Sequence, residues 1–168
     1  MEKPIRWTHT GLSQSWRDFY PSVLVPATIL RPTTFMTNLQ EMSALIRFIA
    51  LSMSRISNAE KPLQMIAVQD IGKWVAHVLE HPETYLSKAV EIAGDAVTFS
   101  QMLAAYQRVY GHKPRSMWLP AALFSRGEVG KMFTWLRTHG YAADLEANRA
   151  AIPDLLTYEQ FLALKRPS

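Results

Sequence analysis

Two histidines four residues apart, with a glutamate between them, are the first candidates for chemistry. His77-Val-Leu-Glu80-His81 fits the H-x-x-E-H pattern, in which imidazoles on one helix face hold zinc and the carboxylate acts as base. Both histidines fall at the polar edge of an apolar stripe, no third ligand is identifiable, and Pro82 ends the helix at the second histidine. They are read as exposed histidines near a helix C-terminus, where the dipole favours their charge, and no metal is expected. Cysteine is absent, which removes thiolate catalysis, disulfides and Cys-ligated zinc. A phenol–ammonium proton relay needs Lys four residues after Tyr. Tyr20, Tyr85, Tyr106, Tyr110, Tyr141 and Tyr158 are followed there by Leu24, Ala89, Tyr110, Pro114, Leu145 and Leu162. A dinucleotide cradle needs glycines at a helix start, where backbone N–H groups approach a pyrophosphate. Gly127 and Gly130 have a suitable gap, but Phe133 takes the third position and the pair lies inside a helical region. Neither a P-loop nor a G-x-S-x-G elbow is present.

One segment remains. Arg31-Pro32-Thr33-Thr34-Phe35 directly follows an apolar run, Val23–Leu30, that reads as a buried strand. In open α/β sheets ligands sit beyond the carboxyl ends of strands. Here a stiffening proline, two hydroxyls and an aromatic ring stand at such an end, as a ligand lip.

The elements around it alternate between the two periods. Met42, Leu45, Ile46, Ile49 and Met53 fall at helical spacing, with Phe48 and Leu51 on the other side, so this helix expects burial on more than one face and favours self-association. Ser54–Pro62 reads as a loop, and Leu63–Val68 and Ala89–Ala93 read as strands, the latter ended by Gly94-Asp95. Between them Asp70 is placed to cap a helix with the stripe Ile71, Trp74, Val75, Val78 and Leu79. Thr98 and Gln101 form a capping box before a helix ended by Gly111, and Thr157 and Gln160 repeat it before a last helix over 158–164. Ser116–Leu119 reads as a short strand, with a helical region from Pro120 to about His139. The order of strands and helices gives an α/β class.

Composition agrees. The chain has 168 residues, 48% hydrophobic and 19% charged, and a net charge of +4, values of a globular chain and not a disordered one. No uncharged run approaches the roughly 20 residues of a membrane span, and the N-terminus has no apolar signal core, so the expected location is the cytoplasm. Between Arg108 and Arg137 six basic groups face one acid, Glu128. Without a helix-turn-helix or aromatic–basic pattern this reads as a solvated basic face, not a nucleic-acid footprint.

Beyond the residue types, Thr28-Ile-Leu-Arg-Pro32-Thr-Thr-Phe-Met-Thr-Asn38 resembles the strand-and-loop signature of NmrA-like proteins, atypical short-chain dehydrogenase/reductase relatives. Ile66-Ala-Val-Gln-Asp-Ile-Gly72, Glu91-Ile-Ala-Gly-Asp95, Met132–Trp135, Gly140–Asp144 and Pro153–Thr157 resemble later pieces of the same family in the same order. The resemblance covers residues 25–168 and only the family's C-terminal portion. Residues 1–24 read as a divergent segment, where Leu12–Ser15 stands in place of the family's Ser-Lys pair. The glycine-rich nucleotide-binding half is expected to be absent from this chain.

The resemblance implies the C-terminal part of a Rossmann-like NAD(P)-binding fold with its smaller substrate-side lobe. It implies NADP or NAD as cofactor and hydride transfer with a small organic substrate. The other reading is a non-catalytic redox-sensing regulator that binds NAD(P) and a protein partner. By residue-wise carry-over, Arg31, Pro32, Thr33, Thr34 and Phe35 lie near the nicotinamide and Asn38 near the substrate. Arg31 either neutralises a phosphate or pairs with an acid. Asp70 and Asp95 are expected to be structural caps. A homo-oligomer is expected; a membrane or nucleic-acid partner is not.

Overall fold

A computed structural model describes residues 27–39, 61–112, 131, 135–136 and 138–165 of the chain. Among the described residues five short strands carry the fold: β1 (Ile29–Pro32), β2 (Thr34–Phe35), β3 (Leu63–Ile66), β4 (Ala89–Ile92) and β5 (Asp95–Val97). The described helices are α1 (Val68–Glu80), α2 (Pro82–Tyr85), α3 (Phe99–Tyr110), α4 (Leu145–Ala151) and α5 (Tyr158–Leu164). A 3-10 turn, Met36–Leu39, follows β2.

β1 pairs in parallel with β4, Arg31 opposite Glu91 and Pro32 opposite Ile92. β3 is the middle strand of a second group, parallel to β2 and antiparallel to β5. Two extended runs therefore change partners partway: 29–35 moves from β4 to β3 across Thr33, and 89–97 moves from β1 to β3 across Ala93-Gly94. Gly94 N donates to the Met65 carbonyl at 2.7 Å, which joins the second of these switches to the middle strand.

Period-two alternation on β3 divides the core. Met65 belongs to one apolar cluster with Met36, Met102, Ala105, Tyr158, Phe161 and Leu162, the side of α3 and α5. Ile66 belongs to another with Trp74, Val78, Ile92, Ile152 and Leu155, the side of α1 and α4. A strand covered on both faces needs apolar residues at successive positions, and Met65, Ile66 and Ala67 are all fully buried. Each large side chain so buried, such as Phe161, contributes roughly 1.5–3 kcal/mol.

Both capping boxes form. Thr98 Oγ1 accepts from Gln101 N while Gln101 Oε1 accepts from Thr98 N, and Thr157 and Gln160 repeat the exchange. Gly111 closes α3 in the left-handed region, φ 77°. The last helix spans 158–164 as its pattern predicts.

Several expectations are corrected. β1 lies at Ile29–Pro32, two residues further along than the apolar run, so Arg31 and Pro32 are strand residues and the lip begins inside the sheet. Pro32 fits there because it needs no N–H for the pairing, and Thr33 N reaches the Ile92 carbonyl instead. β2 and β5 escape the sequence reading because two and three residues are too short to show a period. β3 stops at Ile66, since Ala67 already caps α1 and Val68 begins it. Only Ile71, Trp74 and Val78 of the expected stripe turn inward; Val75 and Leu79 are exposed. The helix over 42–53, the strand over 116–119 and the start of the strand over 23–30 lie outside the described residues. No helix among the described residues is long and apolar enough to cross a membrane.

Candidate functional site

The carboxyl end of β1 is where the candidate residues gather. Arg31 is half-buried, in register with Glu91, and Pro32 beside it is exposed. Thr33 is buried; its N–H and its hydroxyl both donate to the Ile92 carbonyl at 3.2 Å, so it binds β1 to β4. Phe35 packs against the α1-side cluster. Asn38 is exposed on the 3-10 turn, and Met36 between them is fully buried. Thr34 is half-buried and its hydroxyl donates to the Tyr141 hydroxyl at 3.4 Å.

That last contact brings in a segment from the far end of the chain. Lys61 Nζ donates to the His139 carbonyl at 3.0 Å, and Gly140, at φ 70°, reverses the backbone. Ala142 N donates to Glu91 Oε2 at 3.1 Å. Gln64 pairs with the backbone of Ala143 twice, accepting from its N–H at 2.9 Å and donating to its carbonyl at 2.8 Å. Residues 139–143 thus lie across β2, β3 and β4, held by side chains of each. Sequence reading missed Gln64, Glu91 and Tyr141 as positioning groups. The resemblance marked 140–144 as a unit, but only the fold places it against Thr34.

Buried polar side chains fix the frame behind this surface. Asp70 is completely buried, and it does not cap α1, whose N-cap is Ala67 without a side-chain bond. Its Oδ2 instead accepts from Leu156 N at 2.8 Å and its Oδ1 pairs with Lys73 at 3.0 Å. Lys73 reaches Asp154 at 2.8 Å as well. The hydrogen bond from Lys73 holds the Asp154 carboxyl below the usual carboxylate range, and the same bond raises Lys73. Asp95, on β5, acts as a cap for α5 from outside that helix, its Oδ2 accepting from Tyr158 N at 2.8 Å. Asn148 joins α4 to the sheet: Oδ1 accepts from Ala93 N at 2.9 Å, and Nδ2 donates to the carbonyls of Glu91 at 3.2 Å and Asp144 at 2.6 Å.

The other sequence candidates have ordinary partners. His77 Nε2 lies 3.1 Å from the Tyr85 hydroxyl, and His81 Nδ1 lies 2.9 Å from the His77 carbonyl. Among the described residues no group of three or more His, Cys, Asp or Glu is placed to hold a metal ion. Arg108, at the start of the basic run, makes a two-pronged pair with Glu159 at 2.9 and 2.6 Å. That contact lowers the Glu159 carboxyl. Lys113, Arg115, Arg126 and Arg137 lie outside the described residues, as do Gly127 and Gly130.

A nicotinamide dinucleotide asks for two kinds of surface. Its pyrophosphate needs glycine-freed backbone donors. Among the described residues Gly94 is closed by the Leu156 carbonyl, 2.8 Å from where a Cβ would sit, and Gly72 lies inside α1. Its ring end needs a surface at the carboxyl ends of parallel strands; Arg31, Pro32 and Thr34 stand at the carboxyl end of the parallel β1–β4 pair.

The geometry has counterparts in known proteins. A nucleoside-diphosphate-sugar epimerase from Staphylococcus aureus superposes with a TM-score of 0.65 at 14% identity, covering 92% of this chain and 57% of that one. NmrA, a negative transcriptional regulator solved in complex with NADP, gives 0.60 at 10% identity, with 88% and 54% covered. The same regulator in complex with NAD gives 0.61 at 10% identity, with 88% and 54% covered. The chain therefore spans a little over half the length of these structures. A search of curated protein sequences found no match. The shared architecture is that of part of a Rossmann-like α/β fold. The profile of the NmrA-like family matches residues 21–162, and with the sheet of the same kind the chain belongs to that family.

Proposed function

We propose that this chain forms the substrate-side lobe, with the closing strands, of an NADP- or NAD-binding oxidoreductase-like protein. Its reaction is hydride transfer to or from a small organic substrate. The observation that carries the reading is the parallel β1–β4 pair, which ends at half-buried Arg31 and exposed Pro32. The regulator of similar fold solved with NADP and with NAD supports a nicotinamide cofactor of either kind. Arg31, Pro32 and Thr34 flank the ring, Thr33 and Phe35 hold that edge in place from within, and Asn38 stands on the substrate side. A bound nicotinamide would provide the hydride chemistry; the chain supplies position and electrostatics.

Saturation-transfer NMR with NADP⁺ and the 168-residue chain tests this. Transfer is expected to be larger to the nicotinamide protons than to the adenine protons, and to fall in Arg31→Ala. Without a glycine cradle, the dissociation constant is expected well above about a micromolar. Equal or stronger transfer to adenine, or none to either ring, refutes the reading. A second reading, a non-catalytic redox-sensing regulator that binds a protein partner, is favoured by one observation: no tyrosine is followed by lysine at the relay spacing. NADPH consumption with a panel of carbonyl compounds separates the two.

A further inference from the structure

The segment across the strands presents one side chain whose polar atom is only loosely engaged. Lys61, Glu91 and Gln64 fix the backbone at His139, Ala142 and Ala143. Gly140, in the left-handed region that favours glycine, sets the direction of the residue after it. Tyr141 is thereby held by its neighbours' bonds, and is itself half-buried. Its ring meets Trp135 edge-on, with centroids 5.4 Å apart and planes at 76°. Trp135 in turn lies nearly parallel to His139, at 11°. The Tyr141 hydroxyl accepts from Thr34 at 3.4 Å, long for an O–H···O contact. A phenol has one proton to give. As acceptor toward Thr34, Tyr141 keeps its proton for another oxygen, and among the described residues none takes it.

We infer that Tyr141 is a specificity-determining residue, its phenol donating a hydrogen bond to an acceptor oxygen on a flat ring ligand held beside Thr34 and the Trp135 edge. The inference rests on the reading of the β1 end as the ring-binding surface and adds the ligand's chemistry: an aromatic or conjugated carbonyl compound. Thr34 is the positioning residue, since its own proton turns the phenol outward. Tyr141 is not part of a Tyr-x-x-x-Lys relay, as Leu145 stands four residues on. The assignment concerns recognition and adds no chemical step.

The test uses the 168-residue chain and two probes of similar shape, acetophenone and ethylbenzene, followed by ligand-observed NMR titration. A site that pairs with the carbonyl binds the ketone better than the hydrocarbon. Tyr141→Phe is expected to weaken acetophenone by about three- to tenfold, the loss of one hydrogen bond, while ethylbenzene stays unchanged. Thr34→Val is expected to weaken acetophenone less. A merely structural Tyr141 moves both probes together, so the ratio of the two affinities is the readout. An unchanged ratio in Tyr141→Phe, or no binding of either probe, overturns the inference. The NADP⁺ experiment stands apart: nicotinamide contact with an unchanged probe ratio removes Tyr141 alone, whereas loss of nicotinamide contact removes the cofactor reading.

Discussion

Replacing Asn148 with alanine removes three hydrogen bonds at the joint between α4 and the sheet. Ala93 is completely buried and its N–H bonds only to Asn148 Oδ1 among the described residues. An orphaned buried donor costs about 1–3 kcal/mol, and each further neutral bond lost costs about 0.5–1.5 kcal/mol. The Asp144 and Glu91 carbonyls lie nearer solvent, so the lower half of that range applies to them. Alanine is the better helix former, which returns about 0.5 kcal/mol at this helical position. The net loss is about 1.5–4.5 kcal/mol. For a chain of this length that lowers the melting temperature by roughly 2–4 °C per kcal/mol, or about 3–18 °C. Thermal unfolding followed by far-ultraviolet circular dichroism reads it, with Asp144→Ala as companion. Asp144 caps the same helix through Ala147 N on an exposed face and is expected to cost only about 1 kcal/mol. An Asn148→Ala variant within about 0.5 kcal/mol of the parent, or one no worse than Asp144→Ala, refutes the claim that this amide joins α4 to the switch between β4 and β5.

Gly94→Ala puts a methyl group 2.8 Å from the Leu156 carbonyl; backbone must move, and a loss of about 1–3 kcal/mol is expected in chemical denaturation, whereas Gly72→Ala, facing open space, is expected to be stabilising. Thr98→Ala opens the α3 capping box and is expected to cost about 1 kcal/mol, measured in the same way. Asp154 and Glu159 have lowered carboxyl values through their bonds to Lys73 and Arg108. Their contribution is present above the ordinary carboxylate range and is lost as pH falls through the lowered values. Urea midpoints are expected to drop on acidification through that window, and less steeply in Asp154→Asn with Glu159→Gln; parallel curves count against it. Lys73 is raised, so its share persists below the ordinary lysine value and disappears as pH rises through the raised one.

What the sequence made legible was local. Thr98 with Gln101 and Thr157 with Gln160 are adjacent in the chain, their geometry follows from one helical turn, and both boxes form. The α/β class and the order of β1, β3 and β4 were legible because apolar runs separate them. The error at Asp70 shows the opposite case. An acid near a helix start has two uses, capping or reaching elsewhere, and only the arrival of Leu156 N decides between them. Gln64 looks like an ordinary outward-facing strand residue; its pairing with Ala143 requires a segment 79 residues away. The Thr34–Tyr141 contact, 107 residues apart, has no spacing rule that announces it. The family resemblance supplied both halves of that contact as separate pieces, and three-dimensional adjacency made them one site.

The way the C-terminal residues close on the sheet also sets the order in which the molecule is built. Asp70 waits for Leu156, Asp95 for Tyr158 and Gln64 for Ala143, partners 86, 63 and 79 positions later. While the ribosome is still delivering residue 140, the middle strand has its neighbours but Asp70 Oδ2 lacks the Leu156 N–H. The α3-side cluster at that point lacks Tyr158, Phe161 and Leu162. Contacts of such long sequence separation form late and slow the final step. A nascent chain therefore carries an open apolar seam along β3 until α5 emerges, the interval in which a holding chaperone has something to bind.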